Sequence, residues 1–332
     1  MEADGSAQMK LLVTGGAGFI GSNFVRMIGN GRLNGFSEVK VLDKLTYAGI
    51  KENLAEVSNM PGYEFIHGDI NDSIKVRDLL SEVDAVVNFA AESHVDRSIF
   101  GANDFIQTNI VGVQILLDEI KSINKKIRFL QVSTDEVYGS IKKGSWTEDW
   151  PILPNSPYSA SKASGELLAR AFYKTHGMDV VITRSSNNYG THHFPEKLIP
   201  LFITNLLEGK KVPLYGTGEN VRDWLHVDDH CRGIYKVLMN GKSGEVYNIG
   251  GGRELTNNEI TNIILNSIGA SASNIDYVED RLGHDFRYSV NWKKINDELG
   301  YEPQVKFEDG LKETIQWYKE NESWWKPLKN NK

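Results

Sequence analysis

Apolar residues fall in short, nearly unbroken runs along the first half of the chain. They lie at Lys10 to Thr14 (KLLVT), Val39 to Asp43 (VKVLD), Asp84 to Ala91 (DAVVNFAA), Arg128 to Thr134 (RFLQVST) and Asp179 to Arg184 (DVVITR). Longer stretches with helical spacing separate them, beginning with FIGSNFVRMI after the first glycines. A strand buried on one face alternates apolar with polar positions; these runs do not, so they predict parallel strands covered by helices on both faces. After Tyr189 the texture changes to short runs, scattered Gly and Pro, and an amphipathic stretch from Thr256 to Ile268, which predicts a smaller, mixed second lobe. The leading segment MEADGSAQ is polar and small. The expected organisation is a disordered tail over 1–8, a first domain over 9–188, and a second lobe over 189–325 with some segments returning to the first domain.

Composition narrows the partners. The net charge of -7 comes from interspersed acidic and basic residues, so no face reads as a tracker of nucleic-acid backbone or as a membrane-surface patch. No apolar run approaches the roughly 18 residues of a membrane span. A single cysteine, Cys231, excludes an intramolecular disulfide framework and points to a reducing cytoplasm, with a buried, inert thiol as its expected role.

The first chemistry lies where the first strand meets its helix. Gly15, Gly18 and Gly21, with Phe19 and Ile20 between the last two, spell GxxGxxG, a variant of the dinucleotide fingerprint. Glycine there lets a pyrophosphate approach the free amides of the helix N-terminus. Asp43 closes the next strand, where a carboxylate accepts from both ribose hydroxyls of NAD and repels a 2′-phosphate. Lys44 beside it keeps NADP as the alternative. Asp69, after a third strand, reads either as a contact to the adenine edge or as a solvated acid. The fold class that follows is α/β, a Rossmann-type doubly wound parallel sheet with a smaller mixed α/β C-terminal substrate lobe.

The second concentration of chemistry lies downstream. Tyr158 and Lys162 (YSASK) stand one helical turn apart on one face, and a lysine ammonium beside a phenol is expected to favour phenolate and supply a base near neutral pH. Thr134, Asp135 and Glu136 follow a predicted strand, at the edge where open α/β sheets bind ligands. Two adjacent carboxyls can act as acid and base if their surroundings separate their pKa values; a solvated strand-end pair is the plainer alternative.

The stretches VTGGAGFIGSNF, LDKLTYAG, AAESHVDRSI, STDEVYG, SPYSASKAS, SNNYGTHHFPEKLIP, VRDWLHVDDH and DRLGHDFRY carry a resemblance covering Met9 to about Tyr318. The chain resembles the extended short-chain dehydrogenase/reductases, most closely their dTDP-glucose 4,6-dehydratase branch. In related epimerases the Asp-Glu pair is lacking, and GDP-mannose dehydratases and UDP-glucuronate decarboxylases usually carry Ser-Glu. The resemblance implies oxidation at carbon 4 of the sugar by tightly bound NAD, with Tyr158 as base and Thr134 holding the hydroxyl. Loss of water across carbons 5 and 6 would follow through Glu136 and Asp135, with hydride return to carbon 6. By the same match, Ser93, Asn187, Lys197, Leu198, Pro213, Tyr215, Arg222, Asn257, Arg281 and His284 should line the substrate site. Thr46, Ile70, Phe89, Ala90, Ala91, Ser93, Thr108 and Asn188 should join the glycines and acids in holding NAD. No metal is implied. The helices at about Ala102 to Lys121 and Pro157 to His176 match a four-helix homodimer interface. The chain departs from the branch at Thr191, His192 and His193, expected at the pocket rim, and in a short stretch from Ser140 to Trp150, expected as a loop near the site. Thymine against uracil stays open. The rival readings are a UDP-sugar 4-epimerase or decarboxylase, whose product lacks near-ultraviolet absorbance in alkali, and an NAD-sensing regulator, which would turn over no nucleotide hexose.

Overall fold

The computed structural model describes residues 8–123 and 125–330. The tail expected over 1–8 therefore lies, except for Gln8, outside the described residues.

The chain opens with β1 (Met9–Thr14), α1 (Phe19–Gly29), β2 (Phe36–Asp43), β3 (Tyr63–His67), α2 (Ser73–Ser81), β4 (Ala85–Asn88) and α3 (Val95–Phe100). It continues through α4 (Asn103–Ile106), α5 (Val113–Ser122), β5 (Arg128–Thr134), α6 (Pro157–His176) and β6 (Val180–Ser185). Leu11, Leu12 and Val13 of β1 are all fully buried, which is why this strand shows no alternation. One apolar layer packs Phe24 and Val25 of α1 with Val237 and Leu238 from far along the chain; the opposite layer packs Val76, Leu80, Leu116, Leu117 and Ala169 of α2, α5 and α6.

The second half supplies β7 (Asn187–Tyr189), α7 (Leu198–Leu207), β8 (Val212–Tyr215), β9 (Val221–His226), α8 (Val227–Asn240), β10 (Val246–Ile249), β11 (Glu254–Thr256), α9 (Asn257–Ile268), β12 (Ile275–Val278), α10 (Lys293–Leu299), α11 (Phe307–Glu320) and α12 (Glu322–Asn330). Its own core gathers Phe202, Ile203, Ile260, Ile264 and Leu311. The main sheet is seven-stranded and parallel, in the order β10-β6-β5-β4-β1-β2-β3, and β10 joins it by pairing with β6. A three-stranded mixed sheet, β11-β9-β7, and a parallel pair, β12-β8, form the smaller lobe. Strand order reverses between β1 and β4, and such a switch point opens a crevice at the carboxyl ends of the strands.

The helix expected over Ala102 to Lys121 is interrupted: a π-helical turn, Gln107–Gly112, separates α4 from α5. The inserted residue rotates the side chains that follow, and Thr108 on this turn lines the crevice. No described helix is long and apolar enough to cross a membrane.

Candidate active site

A cavity of about 450 Å³ occupies the crevice and runs from the glycine turn to the second lobe. Each site residue singled out from the sequence lines it, from Gly15 to His284.

At one end, Gly15 has φ +69°, and a Cβ there would stand 2.5 Å from the Ala90 amide nitrogen; a Cβ on Gly21 would stand 2.4 Å from the Gly15 carbonyl oxygen. The turn therefore closes only with glycine. Gly18 is the N-cap of α1 and offers no side chain to its amides, which leaves them for an anion. Asp43 accepts from Ala17 N and Leu45 N, both at 2.8 Å, and these two bonds aim its carboxylate. Lys44 forms a 2.8 Å ion pair with Asp69, which draws its ammonium toward that carboxylate. Thr46, Ile70, Phe89, Ala90, Ala91 and Thr108 complete this wall. A dinucleotide fits it: glycines where a Cβ would collide, free helix amides and an oriented carboxylate.

The middle is built at the end of β5. A 3-10 turn, Asp135–Tyr138, follows Thr134 directly. The Thr134 hydroxyl donates to Asp135 Oδ1 at 3.2 Å and accepts from Glu136 N at 3.3 Å. Facing it, α6 begins with a capping box of Ser156 and Ser159 and with Pro157 in its first turn, which fixes the position of Tyr158. Tyr158 N donates to Ser98 Oγ at 3.2 Å, and Lys162 Nζ donates to Val132 O at 2.7 Å. Behind them, buried Arg184 of β6 pairs with Glu166 of α6 and donates to Tyr138 Oη at 2.7 Å, tying strand, helix and turn together.

Electrostatics separates the two carboxyls. Burial, then the Glu136 charge, pushes Asp135 well above the usual carboxylate range. Burial also raises Glu136, but Arg281, Lys197 and Arg222 oppose the rise. Burial lowers Lys162 to about 8. Burial, then Glu136 and Asp135, raise the Tyr158 phenol, and the Thr134 hydrogen bond opposes the rise.

The far end belongs to the second lobe. Arg222 on β9 donates to Asp285 O at 2.9 Å and lies 4.2 Å over the Tyr288 ring. Arg281 faces Asp96 at 3.8 Å, and its buried Nε has no partner among the described residues. Lys197 Nζ donates to Ser93 O at 2.6 Å. Tyr215 donates to Asp96 Oδ2 at 3.3 Å and its ring stands edge-on to His284, which is held by Asp280 at 2.6 Å. Asn187, Leu198, Pro213 and Asn257 fill the remaining wall. Asp135 Oδ2 and Asn187 Oδ1 are buried without partners among the described residues. Orphaned polar atoms around a cavity are groups that a ligand satisfies.

Of the three departures, only His193 lines the cavity; it stacks on Phe19 at 4.0 Å, and burial lowers its pKa to about 3. His192 has φ +62° and packs on Trp317 and Trp324. The stretch Ser140 to Trp150 contributes no lining residue and packs instead on Arg287 to Asn291. Asp96, Glu196, Trp224 and Tyr288 also line the cavity and were not singled out from the sequence. Their sequence signal is membership of the stretches that carry the resemblance, as Asp96 lies in AAESHVDRSI and Tyr288 in DRLGHDFRY.

Comparison with known proteins agrees with this geometry. The family model for GDP-mannose 4,6 dehydratase matches residues 12–314. A dTDP-glucose 4,6-dehydratase of Streptomyces niveus is 56% identical over 97% of this chain and 96% of its own. Among solved structures, the dTDP-glucose 4,6-dehydratase DesIV of Streptomyces venezuelae, determined with NAD bound, superposes with a TM-score of 0.95 at 58% identity, covering 96% of this chain and 100% of that one. The dTDP-glucose 4,6-dehydratase of Bacillus anthracis, in complex with NAD, gives 0.89 at 49% identity over 96% and 99%. The chain belongs to the GDP-mannose 4,6 dehydratase family and, within it, to the dTDP-glucose 4,6-dehydratases.

Proposed function

We propose that this chain is an NAD-dependent dehydratase that converts dTDP-glucose to dTDP-4-keto-6-deoxyglucose. The observation that carries the reading is the buried Asp135 and the half-buried Glu136 beside Tyr158 and Lys162, midway between a dinucleotide wall and a wall bearing Arg222 and Arg281. The glycine turn, Asp43, Thr46, Asp69, Thr108 and Asn188 hold NAD, which when bound supplies the acceptor of hydride from carbon 4 and its donor to carbon 6. The relatives solved with NAD support that choice.

Thr134 holds the 4-hydroxyl, and Tyr158 takes its proton as the carbon-bound hydrogen leaves. The Lys162 ammonium stabilises the phenolate that forms. The resulting ketone acidifies the hydrogen on carbon 5, which Glu136 removes. Asp135, kept protonated by its surroundings, gives its proton to the 6-hydroxyl, which departs as water. Arg222 and Arg281 hold the diphosphate, Lys197 and Asn187 the groups near it, and Tyr215 the base. On this reading a first domain over 9–188 serves NAD and chemistry, and a second lobe over 189–325, with some segments returning to the first domain, serves mainly the nucleotide sugar.

The test is to incubate the purified protein, with no cofactor added, with dTDP-glucose and separately with UDP-glucose. Mass spectrometry should find a product lighter by one water, formed faster from dTDP-glucose. No loss of water from either, even after NAD is added, would move the reading to an epimerase or decarboxylase.

The chain is also proposed to act as a cytoplasmic homodimer. Phe100, Ile106 and Leu167 on α3, α4 and α6 are exposed apolar side chains, 92%, 45% and 48% accessible, beside the packed pair α5 and α6. Cys231 is buried and unpaired, as in a reducing compartment.

A further inference from the structure

His230 has no part in the chemistry above, yet it is fully buried on α8 and reaches a residue of the cavity wall. Its Nδ1 stands 2.9 Å from Asn188 Oδ1, and Asn188 Nδ2 donates to the Ser186 carbonyl at 2.9 Å. A carbonyl only accepts, so the Asn188 amide must turn its nitrogen to Ser186 and its oxygen to His230. That oxygen also only accepts, so His230 must donate from Nδ1. Burial lowers the His230 pKa to about 3, so the ring is neutral and its one proton sits on Nδ1. Nε2 is then a bare lone pair, and it is buried with no partner among the described residues. A residue kept only for packing would carry neither polar atom.

We propose that His230 is a positioning residue for the cofactor, locking the Asn188 amide so that its second N–H faces the cavity as a donor to the nicotinamide end of NAD. That N–H has no acceptor among the described residues, and Asn188 lines the cavity just beyond Ser185, Ser186 and Asn187. These residues continue from the end of β6, the strand beside β5, which ends at Thr134. The nicotinamide has to lie at that junction for hydride to pass near Tyr158. Without His230 the amide can turn over and present oxygen to oxygen. The proposal rests on the reading of Asn188 as an NAD contact.

The first test needs no variant. Nitrogen chemical shifts of the 15N-labelled protein should show His230 protonated on Nδ1 and bare on Nε2; the opposite tautomer overturns the proposal. The second reads NAD affinity on reconstitution of the stripped protein. H230L should weaken NAD about tenfold, as the loss of one preorganised hydrogen bond implies, and H230N, which keeps an N–H near the same place, should restore most of it. In the N188A background H230L should cost nothing more; an equal further loss there would mean that His230 acts only through packing and overturns the proposal. N188A without effect on NAD would instead overturn the reading of Asn188.

Discussion

Asp135 shows how one residue can serve chemistry at the expense of stability. Its carboxyl is raised by burial and by Glu136, so as pH climbs above about 4 the unfolded chain releases this proton while the folded chain keeps it. Folding then takes up a proton, and the contribution of Asp135 to stability, full below the unfolded pKa, is lost as pH rises toward its folded pKa. D135N cannot ionise in either state. The variant should melt roughly 2 °C or more above the native protein at pH 8, about the shift that 1 kcal/mol produces in a large domain, with the gain disappearing near pH 4. Turnover should fall by about two to four orders of magnitude, the usual worth of a general acid. Calorimetry at the two pH values and an initial-rate assay check both parts.

At the scale of elements, the catalytic helix is held from three directions. Ser156 and Pro157 fix its start, the Arg184 pair fixes its middle, and close packing fixes its face toward the π turn. Gly165 of α6 sits so near that turn that a Cβ would stand 2.5 Å from the Asn109 carbonyl oxygen. The neighbour is backbone and cannot rotate away. Asn109 itself bonds the Glu92 backbone and Ser161 Oγ, at 2.9 and 2.8 Å, so the turn, the loop after β4 and α6 move together. G165A should cost about 1–3 kcal/mol, the usual penalty of overpacking. It should also lower kcat more than it raises KM, because it displaces the helix bearing Tyr158 and Lys162. Urea melts and steady-state kinetics measure the two effects.

Over the whole molecule, the cavity is a product of chain return. β10, α8 and α10 come from the second half of the sequence and pack on the first sheet, while β8, β9 and the loop with Arg281 face it across the crevice. Pairing of two such molecules through the exposed faces of α3, α4 and α6 would bury Phe100, Ile106 and Leu167, which single molecules leave in water. Light scattering should read twice 37.3 kDa for the native protein and 37.3 kDa for L167E, whose charge would have to be buried in the interface. A native mass of one chain would remove the dimer.

The sequence by itself determined the parallel sheet, because unbroken apolar runs admit few alternatives to strands covered on both faces. It also marked the glycine turn, the Asp-Glu pair and the Tyr-Lys pair, because their spacing in the chain is their spacing in the local element. Only the tertiary structure decided what depends on distant segments meeting. The π turn that interrupts the helix after α3 is bonded through Asn109 to the loop after β4 and to α6. The entry of Asp96, Glu196 and Tyr288 into the wall, and of His193 while His192 turns away, depends on how the second lobe closes. The raised phenol of Tyr158 belongs to the same class. Burial comes from the folded surroundings and has no signature in spacing, so the lysine one turn away was visible and the desolvation that raises the phenol was not.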